Sequence, residues 1–210
     1  MNQIIKNIAL ALPILLWVGC GSDLEQPASN EEVVGGELAV NFSAEQMKKM
    51  LIAKEMVDAN QTVFGYKAYK IPYTTTNEQG EEVDVSGLFV IPTGVPEIMN
   101  TLGFSMVSDD HGTIFANIEA PSVIGTIYGT PDPSGDPAIL LTSLGGFATL
   151  RPDYIGFGDS LGEYHPFVQK ESLANASIDF IKAVKVFSAK NDIKLNNQLF
   201  VTGYSEGGYA

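Results

Sequence analysis

Glycine, serine and glycine alternate near the end of the sequence, within residues 203–207 (GYSEG), which we call the serine turn. Gly203, Ser205 and Gly207 fit the pattern G-x-S-x-G, which marks a serine nucleophile when the serine lies on a sharp turn between a strand and a helix. The apolar segment 199–202 before it is predicted as a strand, so the pattern has the context that this chemistry requires. The sequence therefore predicts that the Ser205 hydroxyl attacks a carbonyl carbon; the alternative is a structural turn of small residues.

A nucleophilic serine also needs hydrogen-bond donors for the negative oxygen that develops in the transition state. The first expected donor is the backbone N–H of Glu206, at the start of the helix that follows the serine. The second is expected from His111-Gly112-Thr113, which we call the oxyanion loop and which comes shortly after the predicted strand 102–107. There the Thr113 N–H would donate, Gly112 would let the backbone approach and His111 would shape the loop. The alternative is an ordinary surface turn.

The chain has two histidines, His111 and His165, and both precede Ser205. In the fold that uses the serine turn, the acid and the histidine follow the serine along the chain. Asp153 and Asp159 also precede it, so we interpret them as carboxylates that fix their loop, and His165 as structural or pocket-lining. We therefore expect this sequence to be the N-terminal part of an enzyme, and the 210 residues alone to show no serine-dependent turnover.

Helices and strands alternate along the second half of the chain. From about residue 98 onward, the order strand, helix, strand, helix, strand predicts a mostly parallel sheet with helices on both faces. Asp136 or Pro137 opens a short apolar helix, 138–144, and 172–190 is the clearest helix because its apolar residues recur at helical spacing.

Three further elements precede this alternation. Segments 62–75 and 82–91 are predicted as strands joined by the turn residues Asn77 to Gly80. Ser43-Ala44-Glu45-Gln46 fits a capping box, which predicts a helix from there to about Asp58.

Several motifs, taken in their order along the chain, resemble the α/β-hydrolase superfamily, and within it the secretory lipase and esterase-like group. The resemblance runs from about residue 60 to residue 210, and its landmarks are HGT at 111–113, EAPS at 119–122, PDYIGFG at 152–158, HP at 165–166 and GYSEGG at 203–208. It implies the N-terminal part of an α/β-hydrolase fold, incomplete after the nucleophile strand. It also implies a serine hydrolase that cleaves carboxylic esters through an acyl-serine intermediate.

Two other interpretations stay open. A serine peptidase of the prolyl-oligopeptidase type shares the fold and the serine turn, although the first 60 residues are too short for a propeller domain. A non-catalytic, lipid-anchored binding protein is the alternative from another class. A fluorophosphonate probe separates the classes, because it labels only an activated serine.

Composition limits the partners. The formal net charge of −13 argues against a nucleic-acid partner, because phosphate binding needs a basic surface. The sequence indicates neither a cofactor nor a metal site. The apolar residues near the motifs predict an apolar pocket and a small-molecule ester or lipid substrate; they are Phe115, Ile155, Phe157 and Tyr204.

The segment 1–19 has the layout of a bacterial lipoprotein signal peptide. Lys6 precedes an apolar run, 8–18, that is too short to span a bilayer as a stable helix. The segment LWVGC, ending at Cys20, resembles a lipobox, in which the cysteine is lipidated and becomes the first mature residue. Trp17 departs from that pattern, where leucine is usual, and the alternative is an ordinary signal peptide with a chance cysteine.

Cys20 is the only cysteine in the chain, so no internal disulfide can form. We expect an exported protein anchored in a bacterial membrane by acyl chains on Cys20, at the outer membrane and facing the periplasm or the cell surface. Residues 20–40 are polar, acidic and rich in small side chains, which predicts a flexible tether, and 41–210 are predicted as the hydrolase domain.

Replacing Cys20 by alanine tests this anchoring. We expect Cys20→Ala to release the protein from membranes or to block its processing, because the acylated side chain is lost. Membrane fractionation of the wild-type and variant proteins measures the effect. Unchanged partitioning of the variant with membranes would show that the lipobox interpretation is wrong.

Overall fold

The computed structural model describes residues 34–123 and 136–210, which form a six-stranded sheet in the order β1-β2-β3-β5-β4-β6. The strands are β1 (Glu37–Phe42), β2 (Gly65–Thr76), β3 (Glu82–Thr93), β4 (Phe104–Asp110), β5 (Ala148–Pro152) and β6 (Leu195–Gly203). The helices are α1 (Ala44–Ala53), α2 (Glu97–Leu102), α3 (Pro137–Gly145), α4 (Lys170–Lys190) and α5 (Glu206–Tyr209). Cys20 and the predicted signal peptide lie outside the described residues.

The first three strands form the antiparallel half of the sheet. β2 and β3 pair along their whole length, from Gly65 opposite Thr93 to Thr76 opposite Glu82. The turn between them closes because the Asn77 side-chain oxygen accepts hydrogen bonds from the backbone N–H groups of Gln79 and Glu81. The predicted pair of strands is thereby confirmed.

β1 was not predicted, and it corrects the boundary of the tether. Residues 37–40, placed in the tether 20–40 by the sequence, belong to this strand and pair with β2. The physical reason is that its apolar side chains reach the core on both faces of the sheet: Leu38 packs on one face, and Val40 and Phe42 pack on the other. The change of face follows from a register shift against β2 between Leu38 and Val40.

The last strands form the parallel half. β4 lies between β5 and β6 and is parallel to both, while β3 joins the halves by antiparallel pairing with β5. The sheet is therefore mixed, and its parallel part begins where the helix and strand alternation predicts it.

Helices cover both faces of the sheet. Odd-numbered residues of β2 and β3, such as Ile71 and Phe89, share a buried cluster with Phe180 of α4. Even-numbered residues of the same strands share the opposite cluster with Met47 of α1 and Ile139 of α3. This alternation follows from the two-residue period of a strand.

Local sequence explains where these helices begin and end. Ser43 and Gln46 form the predicted capping box at α1, although the helix ends at Ala53 rather than near Asp58. Asp136 caps α3 by accepting hydrogen bonds from two backbone N–H groups, and Gly146 closes that helix in the left-handed conformation. Five of the six apolar residues predicted to form the buried stripe of α4 are buried, and Ile181 is only partly buried; the five are Leu173, Ala176, Phe180, Val184 and Phe187.

A buried polar cluster ties the two halves of the sheet together. The fully buried carboxylate of Asp153, just after β5, accepts hydrogen bonds from the Ser86 hydroxyl at 2.6 Å and from the Ser122 N–H at 2.8 Å, as well as from the Ser122 hydroxyl. Burial raises the pKa of Asp153 to about 6, and these hydrogen bonds only partly oppose it. Asp153 therefore fixes its loop, in agreement with the interpretation from the sequence.

Replacing Asp153 by asparagine tests the burial of this carboxyl. Its ordinary pKa is 3.8 and its folded pKa is about 6, so the unfolded state ionises first and the free energy of unfolding falls as the pH rises between these values. A shift of this size corresponds to roughly 3 kcal/mol. We expect the free energy of unfolding of Asp153→Asn to depend less on pH between 3.8 and about 6, as measured by urea unfolding at several pH values. Asp110 should account for part of the pH dependence that remains, since its pKa is also raised to about 6. If the free energy of unfolding of the variant fell with pH as steeply as that of the wild type, the raised pKa of Asp153 would be contradicted.

Candidate active site

The serine turn is sharp. β6 ends at Gly203, α5 begins at Glu206, and Ser205 between them has φ 53° and ψ −119°. The turn is closed by hydrogen bonds from the Gly207 N–H to the Tyr204 carbonyl at 3.0 Å and from the Gly208 N–H to the Ser205 carbonyl at 3.1 Å. A positive φ is uncommon for a residue other than glycine and indicates a conformation that the surroundings impose. Ser205 is exposed, as a nucleophile has to be.

The two glycines of the pattern are needed because backbones pass too close for a side chain. A Cβ atom at residue 207 would lie 1.9 Å from the Asp110 carbonyl oxygen, and one at residue 203 would lie 2.4 Å from the Gly207 carbonyl oxygen. At residue 208 the nearest atom is 3.4 Å away, which is ordinary contact. The turn therefore requires glycine at 203 and 207 but not at 208.

The sheet brings the oxyanion loop next to the serine turn. Asp110 at the end of β4 pairs with Gly203 at the end of β6, so residues 111–113 and 203–207 leave adjacent strands at the same edge. Gly112 lies against the Tyr204 ring, where a Cβ atom would be 2.8 Å from a ring carbon. His111, Gly112 and Thr113 are thus beside the turn that carries Ser205 and Glu206.

His111 is buried within this loop, with only 3% of its surface exposed. Its Nδ1 lies 2.8 Å from the Gly112 carbonyl oxygen, so Nδ1 carries the proton and donates it. The ring packs on Tyr154 with centroids 4.4 Å apart, and the Tyr154 hydroxyl donates to the His111 carbonyl at 3.3 Å. Burial lowers the pKa of His111, which favours the neutral ring.

Charged residues missed by the sequence reasoning hold the end of β4. The Arg151 guanidinium lies between two carboxylates, with Nε 3.2 Å from Asp109 Oδ2 and Nη1 2.9 Å from Asp136 Oδ2. The Ser177 hydroxyl of α4 donates to Asp110 at 2.8 Å. The signal that could have revealed them is a pair of aspartates directly after the apolar residues of a strand.

A second pair missed by the sequence reasoning joins His165 to the serine turn. His165 Nε2 lies 3.1 Å from Glu206 Oε1, and His165 Nδ1 lies 2.8 Å from the Ile155 carbonyl oxygen. The Glu206 side chain is only 1% exposed. Both ring nitrogens of His165 therefore have partners, and the partner of Nε2 is the residue directly after the candidate nucleophile.

The four residues expected to line an apolar pocket do not share one environment. Ile155 and Phe157 are buried in the interior, while Phe115 is 91% and Tyr204 67% exposed. The Ser205 hydroxyl does not lie in either of two described cavities, which have volumes of about 410 and 390 Å³. The first is lined by residues 77, 81–84, 159–161 and 163, and the second by residues 106, 185, 188–189 and 193–197.

Substituting the glycines of the turn tests its geometry. We expect Gly207→Ala to lower the free energy of unfolding by about 1–3 kcal/mol, because the new Cβ atom would meet backbone that cannot rotate away. Gly208→Ala is the matched control and should cause no loss, since its Cβ atom finds ordinary contact distances. Urea unfolding measures both variants, and equal effects would contradict the close approach at residue 207.

Within residues 34–123 and 136–210, none of the helices has the length and apolar character that crossing a membrane requires.

The chain matches no known protein-family profile and no curated protein sequence. It is similar to the crystal structure of a protein from Legionella pneumophila described provisionally as a hydrolase, with 29% sequence identity and a TM-score of 0.68 over 85% of this chain. It is also similar to LipA from Xanthomonas oryzae, described as a rice cell wall degrading esterase, with 23% identity and a TM-score of 0.65 over 82% of this chain.

The chain spans 45% of the Legionella protein and 42% of LipA. These likenesses confirm the predicted fold class, part of an α/β-hydrolase fold with helices on both faces of its sheet. The parallel pairings are those of β4 with β5 and β6, and the other three pairings among the described strands are antiparallel.

Proposed function

We propose that the protein is a serine hydrolase of carboxylic esters, of the lipase and esterase type, with Ser205 as its nucleophile. The observation that carries this proposal is the exposed Ser205 at φ 53°, on a sharp strand-to-helix turn beside the oxyanion loop. The likeness to a solved esterase and to a provisionally described hydrolase supports the same class.

The proposed reaction has two halves. The Ser205 Oγ attacks the ester carbonyl carbon, its proton passes to a general base, and the alcohol leaves with a proton returned to it. Water then attacks the acyl-serine, releases the carboxylic acid and restores the hydroxyl. In both halves the backbone N–H groups of Glu206 and Thr113 donate to the oxyanion, while His111 and Gly112 shape the loop that carries Thr113.

We assign the general base to a residue outside the described ranges. His111 Nδ1 donates to a carbonyl oxygen within its own loop, and both ring nitrogens of His165 have partners. A general base has to reach the serine hydroxyl with a free nitrogen. His165 has none, and the free His111 Nε2 is buried and makes no hydrogen bond to the Ser205 hydroxyl or to any other described residue.

We further propose that the protein is exported and anchored in a bacterial membrane through acylated Cys20. The support is the apolar run of 8–18 followed by the only cysteine of the chain. In this arrangement the residues between Cys20 and β1 connect the anchor to the folded part, and the substrate is a small-molecule ester or a lipid.

Ser205→Ala in the complete gene product tests the proposed function. We expect loss of fluorophosphonate labelling and a fall in nitrophenyl ester turnover on the order of a millionfold, because the covalent intermediate cannot form. Ser105→Ala is the matched control, since Ser105 lies at the start of β4 and its hydroxyl donates to Gln198. Labelling that survives in the Ser205 variant would overturn the proposal. Cleavage of proline-containing peptides without ester cleavage would favour the peptidase alternative.

A further inference from the structure

Glu206 carries two groups with opposite electrostatic effects on an oxyanion at the serine turn. Its backbone N–H is a proposed donor to the oxyanion, whereas its side chain is a carboxylate that would repel a developing negative charge. The side chain is 1% exposed, so water screens little of that charge. Among the described residues, Glu206 Oε2 has no hydrogen-bond partner. Compensation for this carboxylate therefore has to come through Oε1.

Hydrogen-bond chemistry shows how the contact with His165 compensates the charge of the Glu206 carboxylate. The Ile155 carbonyl oxygen can only accept, so His165 Nδ1, 2.8 Å away, carries a proton. One further proton then lies between Nε2 and Oε1, which are 3.1 Å apart. If that proton is on Nε2, the pair is an imidazolium and a carboxylate; if it is on Oε1, both groups are neutral. The net charge of the pair is zero in either case.

Aromatic rings hold His165 in this orientation. Phe157 and Phe167 approach its ring with centroid distances of 4.9 and 6.4 Å, and Tyr154 stacks at 6.5 Å. Tyr154 also packs on His111 of the oxyanion loop. The imidazole is therefore fixed between the Ile155 carbonyl and Glu206.

We propose that His165 is a positioning residue for the proposed hydrolase: it neutralises the Glu206 carboxylate and thereby keeps an opposing charge away from the oxyanion. This inference rests on the proposed function. The alternative is that His165 only supports the serine turn mechanically. The two roles predict different effects on activity, because the shape of the contact and its charge can be changed by separate substitutions.

Three variants of the complete gene product separate charge from shape; they are His165→Gln, Glu206→Gln and the double variant. His165→Gln keeps a donor for Glu206 Oε1 but removes the positive charge that neutralises the carboxylate, so we expect kcat/KM for a nitrophenyl ester and the rate of fluorophosphonate labelling to fall about 10- to 100-fold. Glu206→Gln should lower kcat/KM and the labelling rate less, because its amide can donate to His165 Nε2. The double variant should recover most of the activity lost in His165→Gln, since no buried charge remains.

A double variant as slow as His165→Gln, or a Glu206→Gln variant that loses as much, would overturn the proposal in favour of bracing alone. Glu163→Gln is the matched control, because Glu163 is an exposed carboxylate near the same histidine in sequence. Urea unfolding of each variant shows whether a loss of rate reflects a loss of folded protein.

A measurement independent of activity separates failure of this inference from failure of the proposed function. The ¹⁵N chemical shift of the His165 Nε2 should change on Glu206→Gln, because the charge of its partner changes. An unchanged shift would overturn the pairing even in an active enzyme. If Ser205→Ala left ester turnover intact, the proposed function and the role at the oxyanion would both fail, while a changed shift would still establish the pair.

Discussion

The parallel pairing of β4 with β6 decides where each proposed catalytic group lies. Asp110 and Gly203 end these strands opposite one another, so the oxyanion loop and the serine turn leave the sheet at one edge. In open α/β sheets this edge, at the carboxyl ends of the strands, is where ligands bind. The backbones then approach so closely that residue 207 has no room for a Cβ atom beside the Asp110 carbonyl. The proposed site therefore depends on a contact that only glycine allows.

Buried carboxyl groups surround that contact, and the structure compensates them in separate pairs. Asp109 faces Arg151, Asp110 accepts a hydrogen bond from Ser177, and Glu206 faces His165. Removing one partner of such a pair leaves a polar or charged group without compensation in a poorly solvated place. This arrangement explains how a chain with a net charge of −13 can bury several acids near one site.

The sequence predicted features that neighbouring residues determine. The capping box at Ser43, the cap of α3 at Asp136 and the turn after Asn77 depend on hydrogen bonds within a few residues. The glycines of the serine turn were also predictable, because the pattern itself describes the steric requirement. The pair of His165 with Glu206 was not, because its members are 41 residues apart and periodicity carries no information on such contacts. β1 was missed because a six-residue strand with polar neighbours resembles a linker.

Backbone strain is concentrated beside the proposed site. Among the described residues, five other than glycine have positive φ, and three of them are Ser205, Tyr154 and Val168 in the serine turn and in the loop that carries His165. Each such conformation costs on the order of 1–3 kcal/mol and persists only where neighbouring contacts impose it. For Tyr154 those contacts are the His111 ring and carbonyl, and for Ser205 they are the hydrogen bonds of its turn. The contacts that hold both strained residues therefore lie in the oxyanion loop and the serine turn, which is a physical reason to regard this edge of the sheet as functional.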